Sequence, residues 1–205
     1  MNLSREKIIS RVRAALAPLK ARAAYPVFPD NVATMPASVT PTVDISRLFK
    51  ERLQLVNGLS FDDATSLAAW LKAKGYVHGY CDPLLWPRLS TAFGAGFSIE
   101  TVFDRKHVDD YQFGITRAAG AIAETGSLVL NDATTASRLG ALAPWVHIAV
   151  VAAKQIFPDV ATALTSLGDD PNIIWCTGPS KTADVEGILI QGVHGPGEQI
   201  ALIEE

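Results

Sequence analysis

The 205-residue chain has only two cysteines, Cys81 and Cys176, and neither belongs to a CxxC pair. A structural zinc site or an iron–sulfur cluster takes more thiolates at closer spacing, so no such centre is expected on this chain alone. Two thiols so far apart read as small apolar side chains. Four histidines are present, but no HxH or HExxH pair, so a metal site is not expected. No window reaches the roughly 18 consecutive apolar residues of a spanning helix. Clustered lysine and arginine are missing as well. With a net charge of −3 and no long basic run, the chain lacks the footprint of a nucleic-acid or anionic-membrane binder. The start, MNLSREKIISRVRAAL, is charged and helical in period and has no apolar secretion-signal core. A soluble, cytoplasmic protein is the expectation.

What the chain does have is a hydrophobic content of 48% against 19% charged residues, enough for a sizeable core. Ser4 is positioned to cap a first helix in which Ile8, Ile9, Val12 and Leu16 share a face. Pro18, Pro26, Pro29, Pro36 and Pro41 then break the pattern. The organisation expected is a helical arm over 1–17, a proline-rich linker over 18–42 and one domain over 43–205. Within that domain, 45–56 has a helical pattern. Ser60 or Asp62 is placed to cap a third helix, which Gly75 ends. Residues 76–80 and 97–103 read as strands around a weak helix over 83–93. Residues 116–121 read as a turn or short helix, with a strand beginning near Ile122. The run WVHIAVVA over 145–152 suits a strand buried on both faces. An amphipathic helix over 157–167, with Pro158 in its first turn, and a buried strand over 172–176 follow. Alternating strands and helices predict an α/β fold: a mostly parallel sheet flanked by helices, with an N-terminal helical arm.

Two segments concentrate chemistry. The first is AAGAIAETGSLVL over 118–130. Glu124 lies among small apolar residues, with Thr125, Gly126 and Ser127 just after it. A desolvated carboxylate there serves as a base or nucleophile; a solvated one is simply a turn residue bonded to nearby amides. The second is TGPSKTADVEGILIQGVHGPG over 177–197, which holds five of the fifteen glycines. Gly178, Pro179 and Ser180 form a tight turn after a strand, and Thr182 is read as the cap of a following helix with Asp184 and Glu186 in its first turn. The turn amides, the Ser180 and Thr182 hydroxyls and the Lys181 ammonium suit a phosphate or carboxylate, although the acids crowd the site and no GxxxxGK[ST] motif is present. A capped turn with a solvated lysine explains the same residues. His194, in GVHGPG, is either a general acid–base group or a hydrogen-bonding turn residue. His147, inside a buried strand, reads as a satisfied core histidine. Arg117 and Arg138 flank the Glu124 segment and are placed to clamp an anion or pair with a surface acid.

The ordered runs Gly114–Thr116 and Ala121–Val129, then Leu142–Pro144 with His147–Val151, then Gly178–Glu186 with Gly192–Pro196 resemble the lactate utilization protein C family (LutC/YkgG-like), whose members carry a LUD domain. The match is detailed over roughly the last hundred residues. The resemblance implies a fold related to the NagB/RpiA/CoA-transferase-like superfamily. It also implies a role beside two iron–sulfur partner proteins in oxidising L-lactate to pyruvate, with no cofactor on this chain. CoA-transferases of that superfamily use a glutamate in a Glu-Asn-Gly-type turn; Glu124-Thr125-Gly126 is similar but has Thr where Asn is usual. The expected site comprises Glu124 as catalytic candidate and Arg117, Thr125, Gly126, Gly178, Ser180, Lys181, Thr182, Asp184 and His194 as ligand-binding candidates. Two other functions fit the same residues: a stand-alone enzyme handling acyl-CoA or sugar phosphates through Glu124, and an assembly or regulatory protein with a vestigial pocket.

Overall fold

The computed structural model describes residues 3–18, 44–168, 170, 172–183 and 188–205. The N-terminal part contributes one helix, α1 (Leu3–Leu16). Ser4 lies inside it rather than at its cap. Most of the expected linker, and the acids Asp184 and Glu186, fall outside the described residues.

The main unit runs in the order α2 (Ile45–Leu55), β1 (Leu59–Phe61), α3 (Ala64–Ala73), β2 (His78–Cys81), α4 (Trp86–Leu89), β3 (Ser98–Glu100), β4 (Phe113–Arg117), β5 (Gly120–Ile122), β6 (Ser127–Leu130), α5 (Arg138–Leu142), β7 (Val146–Ala152), β8 (Ile156–Phe157), α6 (Val160–Ser166), β9 (Ile174–Cys176), β10 (Lys181–Thr182), β11 (Ile190–Gln191) and β12 (Glu198–Glu204). Side-chain acceptors start four of these helices. Asp44, Asp63, Ser137 and Asp159 accept from the amides of Arg47, Ser66, Gly140 and Thr162 respectively. Each satisfies one of the amide groups that a helix start leaves unpaired. The cap of α3 is thus Asp63, not Ser60 or Asp62. Pro158 precedes the Asp159 cap of α6 instead of sitting in the first turn. Gly75, at φ +80°, ends α3, and the Tyr76 amide reaches back to the Leu71 carbonyl.

Six strands form one wholly parallel sheet in the order β1-β12-β7-β4-β2-β3. Its central strands alternate between two cores. Ile148, Val150, Ile200 and Leu202 pack with Leu67 and Leu71 of α3 and Leu89 of α4 on one face. Ala149, Val151, Ala201 and Ile203 pack with Phe49 and Leu53 of α2 and Ala141 of α5 on the other. The two-residue period of a strand makes this division, and helices on both sides bury both faces.

One region departs from the sequence expectation. Residues 116–121 form no helix: β4 runs through Arg117 and β5 starts at Gly120. Strands β5 and β6 open a second, mixed sheet in the order β8-β5-β6-β9, which joins the α2 face. The alanines and glycines here match the close packing of two sheets and not a helical stripe. Thr182 is a strand residue paired with Ile190 in the small β10–β11 ladder, and the segment expected to form a helix after it falls mostly outside the described residues.

Candidate functional site

The turn over 123–126 closes the β5–β6 hairpin. The Gly126 amide donates to the Ile122 carbonyl, and Gly126 takes φ +67°. A side chain at Gly126 would land on the backbone of Arg52 and Leu53 in α2. Antiparallel pairing of β6 with β9 sets Leu128 opposite Cys176, so the next residues out, Ser127 and Thr177, face each other. Their hydroxyls are 2.7 Å apart, and Thr125 Oγ1 lies 2.7 Å from Ser127 Oγ. Gly178, at φ +74°, then brings its backbone against the Val56 carbonyl just past α2. Thr125, Gly126 and Gly178 therefore do meet, joined by a three-hydroxyl chain under the end of α2. Glu124 points elsewhere: its Oε2 accepts from the Val160 amide at 3.3 Å, at the first turn of α6.

Ser180, Lys181, Thr182 and His194 belong to a different cluster. The Ser180 amide donates to the Pro196 carbonyl, its carbonyl accepts from Gly192, and its Oγ accepts from the His194 amide at 3.3 Å. Lys181 is exposed. The glycine wealth of this segment has a packing cause. Added side chains at Gly192 or Gly197 would collide with the Trp145 indole, so the loop lies flat on that ring.

Arg117 also goes its own way. At the end of β4, its Nε donates to Oδ2 of Asp82 at 2.8 Å, just past the end of neighbouring β2. Asp82 is fully buried and its other oxygen accepts from the Leu84 amide. Thr135 Oγ1 donates to the Arg117 carbonyl, tying the 131–137 loop to the same spot.

Beside this ion pair, past the carboxyl ends of β2 and β3, lies a cleft of about 940 Å³. Its walls include Tyr80, Val102, Phe103, Arg105, Ser137 and Leu139. Carboxyl ends of parallel strands are where open α/β sheets hold ligands, because helix and loop starts gather there. Arg138, flagged in the sequence, also lines the cleft, but its guanidinium is taken by Asp132 at 2.9 Å. Tyr80, Arg105 and Ser137 carry no local motif, and Asp82 sits only in a short strand-to-helix turn; all four are legible only once the strand order is known.

The two thiols are inert. Burial pushes Cys81 up to about 12 and Cys176 up to about 11, far from the thiolate range near neutrality. Among the described residues no group of three or more His, Cys, Asp or Glu side chains is arranged to hold a metal.

The parallel sheet, its hairpin insertion and the glycine contacts that lock them together occupy one continuous stretch, and the LUD domain family model matches residues 62–203 of it. The chain belongs to the LUD domain family. LUD domain relatives include lactate utilization protein C of Deinococcus radiodurans, 36% identical over 87 residues, which are 40% of this chain and 41% of that protein. Lactate utilization protein C of Bacillus subtilis is 33% identical over 99 residues, 44% of this chain and 41% of its own length. An uncharacterized protein of Neisseria meningitidis is 27% identical over 128 residues, 56% of this chain and 55% of that one. The chain thus matches about two fifths to a little over half of these relatives' length. A crystal structure of a DUF162 family protein from Deinococcus radiodurans shares the LUD domain's α/β architecture. Its TM-score is 0.59 at 21% identity, over 80% of this chain and all of that one.

Proposed function

We propose that this chain serves in lactate utilization in the cytoplasm. In this reading it is the component without an iron–sulfur cluster in a system that oxidises L-lactate to pyruvate, working beside two cluster-bearing partner proteins. The observation that carries the reading is the LUD domain match over 62–203, together with relatives named lactate utilization protein C. The cysteines support the division of labour. Two thiols with raised pKa cannot supply the four thiolates of a cluster, so electron-carrying centres belong on other chains. The turns at 124–127 and 177–182, with Arg117 and His194, remain the sequence's candidates for contact with a small anion.

The test is genetic and biochemical. Deleting the gene should abolish growth on L-lactate, leave growth on pyruvate normal, and be reversed by a plasmid copy. The tagged chain, purified from lactate-grown cells, should bring down two proteins with iron–sulfur absorption. Normal growth of the deletion strain on L-lactate would end the reading.

A further inference from the structure

The cleft past the ends of β2 and β3 is too large for a three-carbon acid. Its volume of about 940 Å³ lies at the upper end of the range in which pockets enclose drug- or cofactor-sized molecules. Three of its polar side chains keep a donor free. Tyr80 is 2% exposed, yet its hydroxyl has no hydrogen-bond partner among the described residues, and the residue lines the cleft. Burial, with Asp82 nearby, pushes this phenol up to about 12, so it stays a donor at neutral pH. Arg105 is exposed and makes no ion pair or hydrogen bond among the described residues. Ser137 Oγ accepts from the Gly140 amide, which leaves its own O–H free to donate. Part of the remaining wall is apolar: Val102 is 79% exposed and Leu139 40% exposed, with Phe103 beside them, stacked on Tyr111 and edge-on to Tyr80. Asp132 also lines the cleft, but its carboxylate is taken up by Arg138 and Asn172, so the free donors of Tyr80, Arg105 and Ser137 stand next to an aromatic and aliphatic wall, which matches an anion joined to an apolar body.

We propose that this cleft binds an organic phosphate of nucleotide size, its phosphate gripped by Arg105 and by the hydroxyls of Tyr80 and Ser137, its ring body lying against Val102, Phe103 and Leu139. This site is separate from the 124–127 and 177–182 turns and does not depend on the lactate role. The experiment is calorimetric titration of the full chain with ADP, adenosine, inorganic pyrophosphate and L-lactate, each paired with a thermal melt. ADP is expected to bind saturably, with adenosine and pyrophosphate each at least about tenfold weaker. Arg105→Gln should weaken ADP about ten- to a hundredfold, and Tyr80→Phe about tenfold, without lowering the unliganded Tm, since neither group holds the fold together. Ala136→Trp, on the exposed rim, should block the cleft and abolish binding. No ADP binding at millimolar concentration, or ADP affinity unchanged in Arg105→Gln and Ala136→Trp, overturns the proposal. Arg105-dependent binding of L-lactate without ADP overturns it too, and would leave the lactate reading standing with the cleft as its site.

Discussion

His147 shows how one buried residue writes a pH dependence into the fold. Its ring lies between Thr116 on β4 and Gln199 on β12, with Nε2 2.9 Å from Thr116 Oγ1 and Nδ1 within 3.1 Å of the Gln199 amide. Full burial pushes its pKa down to about 4, and the Gln199 bond only partly opposes this. The unfolded chain therefore takes up a proton near pH 6.5 that the native state refuses until about 4. Stability should be complete above pH 6.5 and fall by about 3 kcal/mol as the pH drops through that window. Urea unfolding across pH 4–7 checks this, and His147→Gln should flatten the acid limb. A limb of the same slope in the variant would show that other groups cause it. Asp82 is the second case. Asp82→Ala strands Arg117 and the Leu84 amide beside a buried gap, and should cost about 3 kcal/mol in urea unfolding. For Glu124, replacement by Ala should cost about 1 kcal/mol through the lost contact with the Val160 amide, whereas Glu124→Gln keeps an acceptor and should leave stability close to wild type. A loss of lactate-dependent growth in Glu124→Gln with the fold intact would point to chemistry at that carboxylate.

At the level of elements, the contrast between Gly75 and Gly126 separates conformation from crowding. Both hold positive φ, +80° and +67°. A methyl group at Gly75 meets nothing within 4 Å, while one at Gly126 meets the α2 backbone, which cannot turn aside. Gly75→Ala should therefore cost about 1 kcal/mol from backbone strain alone. Gly126→Ala should cost more than about 3 kcal/mol, because the hairpin must lift off α2. Equal losses in chemical denaturation would mean that the contact with α2 is loose. The same contrast explains which elements were legible in the sequence. Strand β7 was plain as an unbroken apolar run, and α2 and α3 showed their stripes and their stop at Gly75. The second sheet was not, because Ala118–Ala123 has the small residues of a turn. Its strands are short pieces whose hydrogen bonds go to β8 and β9, more than thirty positions away for β8. Likewise Thr182 resembles a helix cap locally, but pairing with Ile190 makes it a strand.

Across the whole molecule, the parallel order places β7 and β12 in the interior of the sheet, with all but the end residues of each strand buried or nearly so. Amide exchange should be slowest at Ile148–Val150 and Ile200–Leu202 and fast in the β10–β11 hairpin, where Ile188, Leu189 and Ile190 are half or more exposed. Hydrogen-exchange mass spectrometry reads this directly, and a protected hairpin would mean that it is covered in solution. By itself the sequence determined the α/β class, the buried central strand, the family resemblance and the inertness of two distant thiols, because each follows from composition, local period or an ordered run of residues. Only the tertiary structure decided which polar groups share a site. It split the candidate residues into a hydroxyl chain under α2, a loop wrapped on Trp145 and an ion pair at Arg117, and it opened a cleft around Tyr80 and Arg105. Those groupings come from strand order and register, which join residues far apart along the chain and leave no mark on the local pattern of any one segment.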